Sequence, residues 1–418
     1  MTNRAEQTST PDDSTGAGPG SVGSLGSLGN LVSRRHLLAL AGGAALLSAC
    51  SSSSSKSSAT STVETTATTV AKTTTTTTKP KPTTTTEAPE TTVEESETTE
   101  ATAEETTTTI PADPVQPLTG LPLDDPALLN RVALVVKVSN DPKARPQTGL
   151  NDADIVFEAW GAGPTRFATI WHSRDLDFVG PVRSCREQDV NLVGSFNRAV
   201  FACSGGNPGN IKLLLDSDLL LVTEGHGPGW ELDPHKSRPH KTHLNTAFLR
   251  SNAGPDRTGP AQQYHYRAVG EAATAGQAMS GFDLHMQSVY MQWRYDAATN
   301  TYLRSQAEKA AKANTPHKLA DGSQVSSENV IIVFLDYEPS HTDRRSPDGN
   351  TTGSNPALVF TGGQMINATW TRDDRLNPFS FTDDAGAPVL LTPGRTFVEL
   401  PNSGKGSFRG DDTFKLVP

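Results

Sequence analysis

The hydrophobic pattern divides the chain into two unlike parts. Residues 51–110 consist almost entirely of Ser, Thr, Glu, Pro, Ala and Lys, whereas apolar runs of strand length recur from about residue 115 to the end. A segment of the first kind cannot bury enough apolar surface to offset its chain entropy, and 51–114 is read as a disordered stalk. In the second part, RVALVVKVSN (131–140) is Val-rich, is closed by Asn-Asp-Pro, and predicts a buried strand. DIVFEAW (154–160) and RFATIWHS (166–173) predict two more, separated by a turn at Gly161-Ala162-Gly163-Pro164. The stretch 186–196 has helical spacing, with Val190, Val193 and Phe196 on one side. Over 198–218 a strand leads through Gly205-Gly206 into a helix, with Asn207 as N-cap and Pro208 at its first position. Strand and helix alternate here, which predicts an α/β layered N-terminal domain over 115–275.

Residues 225–265, rich in Gly, Pro, His and basic side chains, have no period and predict a long irregular connection or a lid. Beyond them the pattern changes. SVYMQWRY (288–295) and TYLRSQ (301–306) predict a hairpin, VIIVFLDY (330–337) a strand, and ALVFTGGQMINATWTR (357–372) a hairpin pivoting on Gly362-Gly363. VLLTPGRTFVEL (389–400) reads as a strand pair around Pro393-Gly394, and a helix is expected at 303–313. The second domain, 276–418, is thus predicted to be mostly antiparallel β.

Composition and charge narrow the function. Hydrophobic residues make up 34% of the chain, a deficit that sits in the Thr/Ser-rich stretch. The net charge of -10, with no basic stripe interleaved with aromatics, argues against nucleic acid as a partner. Before the stalk, residues 1–50 read as an export signal. Ser33-Arg34-Arg35-His36-Leu37-Leu38 looks like a twin-arginine signal, and an apolar segment too short to span a membrane follows it. The signal ends in Leu47-Ser48-Ala49-Cys50, which looks like a lipobox. Cys50 would then carry the lipid that anchors the chain to the outer face of a bacterial cytoplasmic membrane. The ordinary secretory route is the alternative to the twin-arginine one. As a coil, the stalk has a mean reach on the order of 45 Å.

Several short motifs occur in a characteristic order. They are NDPKARPQTGL (140–150), DIVFEA (154–159), Gly-Pro-Thr-Arg-Phe (163–167), GPVRS (180–184), the Gly205-Gly206 pair, and the run from Gly362 to Leu400 with its hairpin, Asp373-Asp374-Arg375 and Pro-Gly turn. Together they resemble the YerB-like lipoprotein family, also called DUF3048, over about 115–415. The resemblance implies an exported lipoprotein with an α/β first region and a β-rich second region, and implies no reaction. The chain departs from the pattern at Pro239-His240-Lys241, where Asn is usual at the third position, and at Cys185 and Cys203, where small residues are expected.

Candidate chemistry centres on strand ends. Arg145, Gln147, Arg166, Arg183 and Arg186 are predicted at or just beyond them, and Ser204-Gly205-Gly206-Asn207 leads into a helix N-terminus. Guanidinium forks and free helix N–H groups suit an anion, so Lys143, Arg145, Gln147, Arg166, Arg183, Ser184, Arg186, Gly205, Gly206 and Asn207 form a candidate ligand site. The alternative is that the arginines pair with Asp152, Asp154, Glu158 and Glu187. A metal site at His226, His235, His240 and His243, with Asp233 close by, has the right ligand types without a known spacing. Cys203 with a base such as His240 is a candidate nucleophile, but it ends an apolar strand, where a buried inert thiol is the usual reading and a disulfide with Cys185 the other. The pairs Asp152/Asp154 and Asp373/Asp374 read as turn caps. No cofactor is expected. The function read from these features is a lipoprotein binding a cell-envelope ligand or partner: an anionic wall polymer, a peptide or a protein. A hydrolase or transferase acting on wall polymers is the alternative, and a structural role remains open.

Overall fold

The computed structural model describes residues 114–225, 228–307, 314–410 and 412–418. The export signal, Cys50, the stalk up to residue 113 and His226 lie outside the described residues. The described fold is β-rich, with few and short helices. Its strands are Leu134–Ser139 (β1), Ile155–Gly161 (β2), Gly163–Trp171 (β3), Val200–Cys203 (β4), Leu220–Thr223 (β5), Gly281–Met286 (β6), Val289–Asp296 (β7), Thr301–Ala307 (β8), Asn329–Val333 (β9), Gly353–Thr361 (β10), Gln364–Arg372 (β11), Ser380–Asp383 (β12), Thr396–Leu400 (β13) and Thr413–Val417 (β14), with shorter pairs elsewhere.

A large sheet runs in the order β12-β11-β10-β9-β13-β2-β3-β1-β4-β5. It crosses the whole described chain, because β13 lies parallel to both β2 and β9. β2 and β13 are buried along their full lengths, which explains why neither alternates apolar with polar residues. A second sheet, built on β8-β7-β6-β14, turns Phe282 and Trp293 inward. Their rings meet Phe360 and Phe397 of the large sheet at centroid distances of 4.6 and 4.9 Å. Aromatic pairs at such distances add to the area they bury.

Helix–strand alternation is present as one compact unit: β4, the helix Pro208–Leu215 and β5, with the two strands parallel. The stretch 186–196 forms a short α-helix, Gln188–Leu192, then a 3-10 turn, Gly194–Phe196. The two hairpins form as expected. Three expectations are corrected. Leu390–Leu391 pairs with His265–Tyr266 rather than with β13. Pro393 has no N–H, and the N–H groups of Gly394 and Arg395 go to Thr119 O and Glu328 Oε2, so the turn cannot close a tight pair. The strand expected over 330–337 ends at Val333, and Asp336–Pro339 pairs separately with Pro347–Asn350. Of the helix expected at 303–313, Leu303–Ala307 is the end of β8, paired with β7; residues 308–313 lie outside the described residues.

Candidate functional site

The end of β1 organises a cluster of cations. Antiparallel pairing of β1 with β3 sets Arg166 beside Ser139. Parallel pairing of β1 with β4 brings the end of β4 to the same edge. The segment after Gly180 inserts there: Ser139 N donates to Pro181 O (3.0 Å) and Arg183 N to Lys137 O (2.8 Å). On its far side, Ser204 N donates to Arg183 O (3.1 Å) and Cys185 N to Gly205 O (2.9 Å). Arg166, Arg183 and Arg186 therefore gather where Ser204–Asn207 enters the helix Pro208–Leu215. Asn207 caps that helix through Oδ1, which accepts from Asn210 N at 2.8 Å. Gly206 is required at this junction, since a Cβ there would sit 2.5 Å from Cys185 Sγ.

The three guanidinium groups lack carboxylate partners among the described residues. Arg166, 3% exposed, donates only to the Pro164 and Thr165 carbonyls. Arg186 donates from its side chain to Cys185 O, and Arg183 makes no side-chain hydrogen bond. The Nε atoms of all three are buried and have no protein partner. Burial first, then the charges of Arg186 and Arg183, push the Arg166 pKa down to about 9, against the opposing pull of Asp141 and Asp189. A guanidinium in a protein keeps its proton, so Arg166 bears the cost of burial beside two like charges. His240 closes the cluster, with Nε2 3.8 Å from Asp141 Oδ1. Burial lowers its pKa, Asp141 raises it, and Arg183, Arg166 and Lys143 lower it further.

The carboxylates proposed as partners are engaged elsewhere. Asp152 meets Arg174, and Asp154 accepts from His172 N and Ser173 N. Glu158 holds Arg304, and Glu187 holds Ser340 and His341. Arg145 turns away from the cluster, its Nη2 donating to Asn140 O (2.7 Å) and Oδ1 (3.0 Å). Gln147 is buried, bonding Ser139 O and the His317 ring. Arg145 and Gln147 thus belong to a buried polar network around Glu158, not to the Arg166 crevice. Lys143 is exposed, and Ser184 is half-buried on the inserted segment. The segment expected to be an irregular connection instead carries an antiparallel pair, Trp230–Leu232 with Thr242–Leu244, and a helix, Thr246–Ser251; between the paired strands, Lys236 Nζ donates to Ala144 O (2.5 Å) and Pro146 O (2.6 Å) at this edge. The cradle beneath the arginines escaped sequence reading. Lys137 lay inside a Val run and Asp189 inside a helix pattern, and their buried pairing at 2.8 Å has no local signal.

The remaining candidates separate. His235 is exposed. His243 stacks on Phe178 at 4.0 Å, with its Nδ1 3.2 Å from Lys241 O. Neither converges with His240 on one point: among the described residues, the three metal-type donors that do converge are Glu187, His341 and Asp348. Cys203 and Cys185 are both buried and free. The neighbour acting first on the Cys203 thiol is the Cys185 thiol, not a histidine. Asp374 Oδ1 accepts from Leu376 N, a turn cap as expected.

Comparison with known proteins places the chain. A family model described as the N-terminal domain of a protein of unknown function (DUF3048) matches residues 118–259, and the corresponding C-terminal domain model matches 282–398. YerB of Bacillus subtilis (strain 168), named as a lipoprotein, is 29% identical over 296 residues, covering 68% of this chain and 85% of that protein. The crystal structure of Bacillus subtilis YerB shares the fold with a TM-score of 0.60 at 24% identity, covering 72% of this chain and 99% of that one. The chain belongs to the DUF3048 family of YerB-like proteins.

Proposed function

We propose that this protein is a membrane-anchored, extracytoplasmic lipoprotein that binds an anionic envelope ligand through Arg166, Arg183 and Arg186. The name of the Bacillus relative and the sequence ending in Cys50 support the anchor. No helix among the described residues is long and apolar enough to cross a membrane. One observation carries the ligand reading: three arginines converge at strand ends, each with a buried Nε that no group among the described residues meets. Ser184, Gly205, Gly206 and Asn207 lie on the segments that meet there, and the charge of Lys143 acts on His240 beside them. A phosphate or carboxylate group, as in wall polymers and peptides, supplies the missing charge in a form that guanidinium forks hold well.

The test is a thermal-shift and calorimetric titration with sulfate, inorganic phosphate, glycerol-phosphate oligomers and muramyl peptides. Binding by at least one anion is expected, with affinity falling as salt is raised. Arg183→Ala is expected to weaken it about tenfold or more, while leaving stability within about 0.5 kcal/mol, because Arg183 has no ion pair to lose. A flat response across the panel, or an unchanged affinity in Arg183→Ala, sinks the reading.

His240 makes binding pH-dependent. Its pKa is lowered by burial and by nearby cations, and an anion placed among those cations raises it again. Binding then takes up a proton, so sulfate, whose charge is constant in this range, binds more tightly at pH 5.5 than at pH 7.5. The gain is up to about tenfold for each unit by which the His240 pKa rises. His240→Gln flattens this dependence, as read by calorimetry in buffers of different ionisation enthalpy.

A further inference from the structure

We propose that Glu187, His341 and Asp348 form a binding site for one divalent transition-metal ion of the zinc class. One donor atom from each lies within 4.8 Å of the others. Glu187 Oε1 and His341 Nδ1 are 3.1 Å apart, a separation two ligands of one ion adopt. The other Glu187 oxygen is held by Ser340 Oγ (2.5 Å) and Thr342 N (3.1 Å), which fixes the carboxylate with Oε1 toward the histidine. Asp348 supplies an independent sign: its Oδ1 is buried and has no hydrogen-bond partner. An orphaned buried carboxylate oxygen is costly unless something cationic completes it. Two acids and a histidine thus bring one donor atom each to the same point.

The donor set selects the metal. A nitrogen and two carboxylate oxygens suit zinc, at about 2.0–2.2 Å from each ligand, better than calcium, which prefers oxygen alone. Closure to those distances asks for small side-chain movements, and His341, whose side chain is 86% exposed, is free to make them. The scaffold is otherwise stiff: Asp348 stands on a strand paired with Asp336–Pro339, and Glu187 precedes the helix Gln188–Leu192. The site lies one residue from Arg186 but does not depend on the anion reading.

The test is a calorimetric titration of the full chain with zinc chloride, comparing wild type with His341→Ala, Asp348→Asn and, as a control, His235→Ala. One tight equivalent is expected in wild type and in the control. At least a tenfold loss of affinity is expected in the other two variants. In parallel, cobalt(II) is expected to shift and broaden the His341 ring resonances at substoichiometric addition. His341→Ala changes an exposed side chain and keeps the fold, checked by circular dichroism. Zinc affinity unchanged in both His341→Ala and Asp348→Asn, or no binding by wild type at micromolar zinc, overturns the proposal.

Discussion

Replacing Arg304 with methionine is expected to cost the fold about 3–5 kcal/mol, since it removes one partner of a wholly buried ion pair. Arg304 is 0% exposed and donates to Glu158 Oε2 (2.7 Å) and Gln306 Oε1 (2.5 Å), with His317 Nδ1 at 2.7 Å. Its guanidinium also lies 5.8 Å from the ring centres of Phe167 and Phe397. Glu158 and Glu399 face each other in the parallel register of β2 and β13, and both side chains are sealed from solvent. Two carboxylates with one guanidinium would leave a buried negative charge. The cluster balances because burial, then the Glu158 charge, raises the Glu399 carboxyl well above the usual range, so that it keeps its proton. His317 is held neutral by burial and by Arg304 and Arg145. A single carboxylate against a single guanidinium, with neutral groups around them, is the arrangement that leaves no excess buried charge.

This assignment makes the two glutamates unequal. Glu399→Gln mimics the protonated acid and is expected to cost no more than about 1 kcal/mol, whereas Glu158→Gln leaves Arg304 uncompensated and approaches the cost of Arg304→Met. Urea denaturation midpoints measure all three. Equal costs for the two glutamine variants would mean that the proton is not lodged on Glu399. Because Arg304 belongs to the second sheet and Glu158 to the first, the loss is expected as a shift of one cooperative transition. A separate early phase would argue against that coupling.

The same cluster shows where sequence reading stops. Local signals are legible: the Val run of β1 is a strand buried along its length, and the Gly362-Gly363 hairpin and the Asn207 cap are set by contacts close in sequence. Pairing of β13 with β2 was not legible, because it joins residues some 240 positions apart and both strands, buried on both faces, lack the alternation that fixes register. By sequence, Glu158 is one of four alternative partners for the strand-end arginines, and its partner in the fold is Arg304. Its signal as a buried charge was its place inside VFEAW, where every neighbour is apolar. Arg304 shares a face with Tyr302 in β8, and both are fully buried; a charge in the apolar phase of a strand is the mark that reading overlooked. For the proposed anion crevice, the convergence of Arg166, Arg183, Arg186 and the Gly205 turn follows from their places at strand ends, which the apolar pattern locates. Arg145 was misplaced because its direction depends on Asn140, five residues earlier, and not on the strand pattern.

Asp189→Ala is expected to destabilise the protein by about 3–5 kcal/mol, because it strands the Lys137 ammonium in a site closed to water. Lys137 Nζ and Asp189 Oδ1 are 2.8 Å apart, and both side chains are 0% exposed. The other Asp189 oxygen accepts from Arg186 N at 2.6 Å, while Lys137 O accepts from Arg183 N at 2.8 Å. This pair therefore pins the inserted segment at the two residues whose side chains enter the crevice. Lys137→Met with Asp189→Leu removes both charges together and is expected to recover most of the loss, giving a coupling energy above about 1.5 kcal/mol in a double-mutant cycle of urea midpoints closed by the Lys137→Met and Asp189→Leu single variants. Equal costs for the single and double variants would show that the pair is not the cause. Anion affinity is expected to follow a different course. The leucine cannot accept from Arg186 N, so the segment loses that anchor even when stability returns. The double variant should fold nearly as well as wild type and still bind sulfate several-fold more weakly. Recovery of both properties together would place the anchoring of Arg186 in some other contact, and a loss of binding at restored stability ties the crevice to the buried pair beneath it.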